Sequence, residues 1–167
     1  MLAGLFAGCE GGGNASIASE AVAKADDAKT FYAIKIGDTT ARLQLAINLS
    51  EMQRGLMGRT DLGADEGMVF IYGEPQRMSF WMRNTPTPLD IGFFDGEGVL
   101  KEVYPLYPYD ETPVQSRGTA LKYAVEMKQG WYKANGLKTG AKLDLTALAA
   151  AVRARGAEPA DMAITER

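Results

Sequence analysis

Two prolines two residues apart, Pro86 and Pro88, divide the most apolar part of the chain and limit how it can fold. Before them run Phe80, Trp81 and Met82, then the polar group Arg83-Asn84-Thr85. After them comes Leu89 to Phe94, interrupted by one carboxylate, Asp90. Proline cannot donate to a sheet ladder, so residues 86–88 are predicted to bend the chain between two strands. The bend would gather Arg83, Asn84, Thr85 and Asp90 at a strand end. A lone carboxylate among Leu89, Ile91, Phe93 and Phe94 is costly unless paired. Arg59 and Arg83 are the expected partners.

The rest of the chain repeats this grammar of short apolar runs and turn residues. Residues 31–36 and 42–47 read as strands about the Gly37-Asp38 turn, with Leu43, Leu45 and Ile47 alternating against Arg42, Gln44 and Ala46. Ser50 followed by Gln53 has capping-box spacing and predicts a short helix near 50–57, limited by Gly55 and Gly58. Gly67 to Tyr72 is apolar enough to be buried on both faces. Asp95-Gly96-Glu97-Gly98 makes 89–104 a hairpin. Residues 105–118 read as a long surface loop, residues 121–127 as an alternating strand, and 141–145 as a last strand. Alanine-rich 146–156 reads as a C-terminal helix, followed by a frayed tail over 157–167. The expected fold is mainly β: a small antiparallel barrel or sandwich of about eight strands over residues 30–145.

Ahead of that body, Phe6-Ala7-Gly8-Cys9 resembles the box that closes a bacterial lipoprotein signal. In such signals the cysteine becomes the lipidated first residue of the mature protein, and its acyl chains are the anchor. The charged segment that usually precedes the box is not seen before Cys9. Residues 10–29 contain Gly11-Gly12-Gly13, no aromatic residue and few large apolar ones, which predicts a flexible tether. By resemblance, Glu10 rather than aspartate after the cysteine implies the outer membrane. The expected setting is therefore the periplasmic face of a bacterial membrane, reached through the N-terminal lipid.

Composition narrows the chemistry. With no histidine anywhere, Ser-His and Cys-His catalysis and imidazole metal ligation are excluded. A net charge of −3 argues against a nucleic-acid partner. Cys9 is the single cysteine, so no disulfide framework exists. The methionines (Met52, Met57, Met68, Met78, Met82, Met127) suit core packing, with a soft-metal site as the rarer use. No cofactor and no metal are expected.

Across about 30–145, several separated groups resemble one family. They are Glu51, Arg54-Gly55-Leu56-Met57, Arg59, Leu62, Gly67-Met68 with Phe70, Phe80-Trp81-Met82, Asn84-Thr85, Leu89-Asp90, Tyr123 to Glu126, and Gly130. Together they are similar to the domain-of-unknown-function family 192, with Arg83 where a lysine is frequent. The resemblance implies a compact, mainly β domain, often exported, and no established activity.

The candidate ligand-binding residues are Arg59, Trp81, Arg83, Asn84, Thr85, Asp90 and Glu126. Guanidinium forks match carboxylate and phosphate, so the expected ligand is a small polar or anionic molecule. A protein partner at the same Arg83–Asp90 corner is the companion possibility. Neither requires catalysis. The alternative from another class is a hydrolase or lyase using Asp90 and Glu126 as an acid/base pair, which demands that both line one cleft.

Overall fold

The described chain opens on a local hairpin. In the computed structural model, which describes residues 27–166, β1 (Tyr32–Ile36) and β2 (Thr39–Ala46) pair antiparallel with Ile36 opposite Thr39. Gly37 supplies the positive φ of 57° that this turn requires. A helix, α1 (Leu49–Arg54), then carries the chain across to β3 (Glu66–Gln76), which lies parallel to β2 with Leu43 opposite Gly67. Parallel neighbours need such a crossover, so the sheet is mixed where an antiparallel one was expected.

β4 (Ser79–Phe80) precedes the proline bend, and β5 (Leu89–Asp95) follows it. β6 (Leu100–Leu106), β7 (Val114–Gln115) and β8 (Leu121–Lys128) complete the strands. Six of them form one sheet in the order β1-β2-β3-β8-β5-β6, and β4 pairs with β7 in a small ribbon. The architecture is sandwich-like and is not a closed barrel. Residues 141–145 do not form the expected strand. They make single bridges, Leu143 to Ile36 and Lys142 to Val99, across the space between β1 and β6.

One face of the sheet packs under α2 (Trp131–Ala134) and α3 (Leu145–Ala154), with Val125, Met127, Leu148 and Val152 in its core. We call it the helix face. The other, the cleft face, holds Met68, Phe70, Ile91 and Phe93 beneath Leu56, Met78 and Met82. Strands buried on both faces explain the unbroken apolar reading of 67–72.

Three further expectations change. Asn48, not Ser50, caps α1, its side chain accepting the Glu51 N–H at 3.0 Å. The supposed loop 105–118 is partly strand: β6 runs through Pro105, which an edge strand tolerates, and β7 pairs with β4. The tail is docked, because Pro159–Met162 forms a 3-10 turn, Ile164 is buried, and Lys122 Nζ donates to the Ala163 carbonyl at 2.9 Å. Among the described residues no helix is long and apolar enough to cross a membrane. Cys9 and residues 10–26 of the proposed tether lie outside the described residues.

Candidate functional site

A cleft of about 620 Å³ opens between α1, β2 and the segment after α1, lined among others by Phe31, Gln44, Arg54, Met57, Arg59 and Met68. Its walls follow from local sequence. Gly55 ends α1 at a φ of 47°, and a Cβ there would press on the Phe70 ring at 3.3 Å. The chain therefore turns away and brings Arg59 back over the sheet. Arg59 Nη1 donates to Gln44 Oε1 at 2.9 Å, and its Nε donates to Asp61 at 2.6 Å. The guanidinium holds the exposed Asp61 carboxyl below its ordinary range. The Phe31 ring lies 5.8 Å from the Arg59 guanidinium and 5.4 Å from that of Arg42, within cation–π reach of both.

The guanidinium of Arg54, in the last turn of α1, has no carboxylate or hydrogen-bond partner among the described residues. Glu51 is one turn back and could have neutralised it, but is already committed. It accepts the Ile47 N–H at 2.9 Å and pairs with Arg155, which reaches in from the end of α3. The cleft rim thus keeps an uncompensated positive charge.

The proline corner adjoins this rim. The Gly58 N–H donates to the Asn84 carbonyl at 2.8 Å, and Thr87 Oγ1 donates to the Arg59 carbonyl at 2.6 Å. From the other side, Met82 N–H donates to the Asp110 carbonyl and Tyr109 N–H to that of Thr85. Asn84 sits at a φ of 53°, a left-handed position that asparagine tolerates. Buried Thr85 uses its hydroxyl on the Arg83 carbonyl at 3.1 Å and is architectural. Trp81 is 46% exposed, with the Arg83 guanidinium 5.6 Å from its ring.

Asp90 does not join them, which corrects the expected pairing with Arg59 or Arg83. Its carboxylate accepts the Gly130 N–H at 2.7 Å, fixing the entry to α2. Partial burial raises its pKa, and the Gly130 hydrogen bond opposes this. The reason is the alternation of β5. Asp90 is opposite Met127, on the helix face, whereas Met82 and the turn bearing Arg83 cover the cleft face.

The same alternation separates the two carboxylates. Glu126 is opposite Ile91 and Met68, on the cleft face, so the sheet itself stands between it and Asp90. They cannot flank one cleft as an acid/base pair. Glu126 is only 5% exposed, and its carboxyl accepts no hydrogen bond among the described residues. Burial pushes its pKa up to about 8. The register Gln44–Met68–Glu126 puts Glu126 on the same face, one strand beyond the Met68 that lines the cleft.

The described residues contain no group of His, Cys, Asp and Glu arranged to hold a metal. The methionines are divided between the two cores, Met68, Met78 and Met82 on the cleft face and Met127 on the other. Sequence reasoning missed Phe31 and Gln44. Gln44 reads as solvent-facing from its alternation with leucines, yet it is buried because the crossover places β2 inside the sheet. Polar residues on a strand followed by a helix and an apolar run were the available signal.

Residues 32–145 match the domain-of-unknown-function family 192 (DUF192), described as an Uncharacterized ACR. The chain belongs to this family. No curated protein matches the DUF192 chain. Among solved structures, a protein from Sinorhizobium meliloti 1021, provisionally described as a transcription regulator, is 27% identical with a TM-score of 0.66. That match covers 71% of this chain and 95% of that one. A protein of unknown function from Novosphingobium aromaticivorans DSM 12444 is 36% identical with a TM-score of 0.63, covering 68% of this chain and 84% of that one.

Proposed function

We propose that this DUF192 domain is a non-enzymatic, lipid-anchored module of the bacterial envelope that binds a small polar or anionic ligand. The ligand site moves from the Arg83–Asp90 corner to the adjoining cleft, with Arg54 and Arg59 as its cations and Arg83, Asn84 and Trp81 on the neighbouring lip. The observation that carries the reading is the unpartnered Arg54 guanidinium at the rim of a partly apolar cleft. A guanidinium left without a carboxylate beside an aromatic wall favours an anion with some apolar body. The hydrolase or lyase alternative loses its acid/base pair to the geometry of the sheet. The net charge of −3 argues against nucleic acid as the ligand. A second reading, a protein partner at the lip, is favoured by the exposed Trp81, Tyr107 and Tyr109.

Titration of hexanoate into the protein at low ionic strength, followed by NMR, tests the cleft. Backbone resonances of Phe31, Gln44 and Gly55 should move, and Arg54→Gln should weaken binding by about tenfold, the worth of one charged hydrogen bond. Unmoved resonances at saturating hexanoate would refute the site. For the anchor, Cys9→Ser should shift the protein from the membrane to the soluble periplasmic fraction; unchanged fractionation counts against lipidation.

A further inference from the structure

Five polar or charged side chains are buried among the described residues: Gln44, Thr85, Ser116, Lys122 and Glu126. Four have their polar atoms engaged. Gln44 donates to the Lys29 carbonyl and accepts from Arg59. Thr85 donates to Arg83, Ser116 to Gly118, and Lys122 to Gly73 and Ala163. Glu126 alone has no partner, and a buried carboxyl without one is a defect that folding has no reason to keep. No guanidinium or ammonium contributes to its pKa; the groups that feel its charge are the phenols of Tyr72 on β3 and Tyr132 on α2.

The carboxyl is not sealed in. Among the described residues Tyr123 Oη is the side-chain polar atom that is both closed to solvent and unpartnered, so the Glu126 oxygens, which accept no bond, touch accessible space. Glu126 stands on the cleft face of the sheet, beside the Met68 that lines the cleft. Gln44, Met68 and Glu126 are consecutive along one row, and the first two line the cleft. Two strand spacings, about 9–10 Å, separate the backbone of Gln44, which holds Arg59, from that of Glu126. An apolar step, Met68, lies between. The cleft is therefore cationic at its rim, and an acidic side chain that is not itself among the lining residues stands one strand past its Met68 floor.

Resting on the cleft reading above, we infer that Glu126 is the second pole of this site and that the ligand is a short zwitterion. Its anionic end meets Arg54 and Arg59, its apolar middle passes Met68, and its primary ammonium meets Glu126. An ammonium satisfies what the carboxyl lacks, because it brings both charge and donors to an oxygen pair with neither. A simple anion would leave Glu126 unsatisfied.

The test uses ω-amino acids of about three to eight carbons, a series that brackets two strand spacings. Each is titrated into the full chain at pH 7.5 beside the carboxylate and the alkylammonium of equal length. At least one amino acid should bind about tenfold or more tightly than its matched carboxylate, the effect of one added charge-assisted contact. Glu126→Gln should erase that advantage, and carbon-13 NMR should show the Glu126 carboxyl becoming ionised as the amino acid saturates. If the carboxylates bind and depend on Arg54 but no amino acid binds more tightly, or the advantage survives Glu126→Gln, the zwitterion inference fails and the anion site stands. If none of the probes binds, both fail.

Discussion

Replacing Glu126 by glutamine should make the protein more stable, and increasingly so as pH rises. The side chain has an ordinary pKa of 4.5 and one of about 8 in the folded state, set by burial. An unfolded chain therefore releases this proton near pH 4.5, whereas the folded chain keeps it until about pH 8. Between those limits the folded state binds more protons, so stability falls as pH rises. The favourable contribution is complete below 4.5 and gone above 8. At about 1.4 kcal/mol per pH unit, the loss across this window is about 3–5 kcal/mol. Glutamine has nearly the same shape and does not titrate. The two proteins should match near pH 5 and diverge by about 3–5 kcal/mol at pH 9. Urea unfolding monitored by circular dichroism between pH 5 and 9 measures this difference, in which titrations common to both proteins cancel. A gap at pH 9 of less than about 1 kcal/mol, the size of an ordinary surface effect, would show that Glu126 is not desolvated and would refute the reasoning.

Other substitutions probe the surrounding geometry. Asp90→Ala removes the acceptor for Gly130 rather than half of a buried ion pair, so it should cost about 1–2 kcal/mol, below the 3–5 kcal/mol typical of a broken buried pair; a larger loss in chemical denaturation would restore the ion-pair view. Gly92→Ala sets a Cβ against the Tyr132 hydroxyl, which donates to the Val125 carbonyl at 2.9 Å. It should lower stability by about 1–3 kcal/mol, and adding Tyr132→Phe should recover part of the steric loss, giving a non-additive double-mutant cycle. Strict additivity would mean the two groups do not meet.

The fold class was legible because it is written in short-range signals: the Gly37 turn, the 95–98 turn, the doubly apolar run at 67–72 and the proline bend. What was not legible depends on pairings between distant segments. Nothing near Asp90 indicates that β5 lies beside β8 with Asp90 opposite Met127, and that one register decides which face the carboxylate occupies. A slip of one residue would have turned Asp90 to the face that Met82 and the turn bearing Arg83 cover. Gln44 was misread for a related reason, since strand alternation reports burial only when one face is wet. Glu126 was singled out from sequence, but its isolation could be seen only once Gln44, Thr85, Ser116 and Lys122 had been given their partners.

Arg155 stands ten positions beyond the last residue matched to the family, yet its guanidinium is the counter-cation of Glu51 in the cleft wall. The wall of the cleft is therefore not built wholly from the residues matched to the family. A fragment cut at residue 145 would strand an anion on α1 next to Arg54, inviting the rim cation to collapse onto it. Under the proposed function, the charge at the cleft rim is therefore tuned by a helix that lies outside the residues matched to the family.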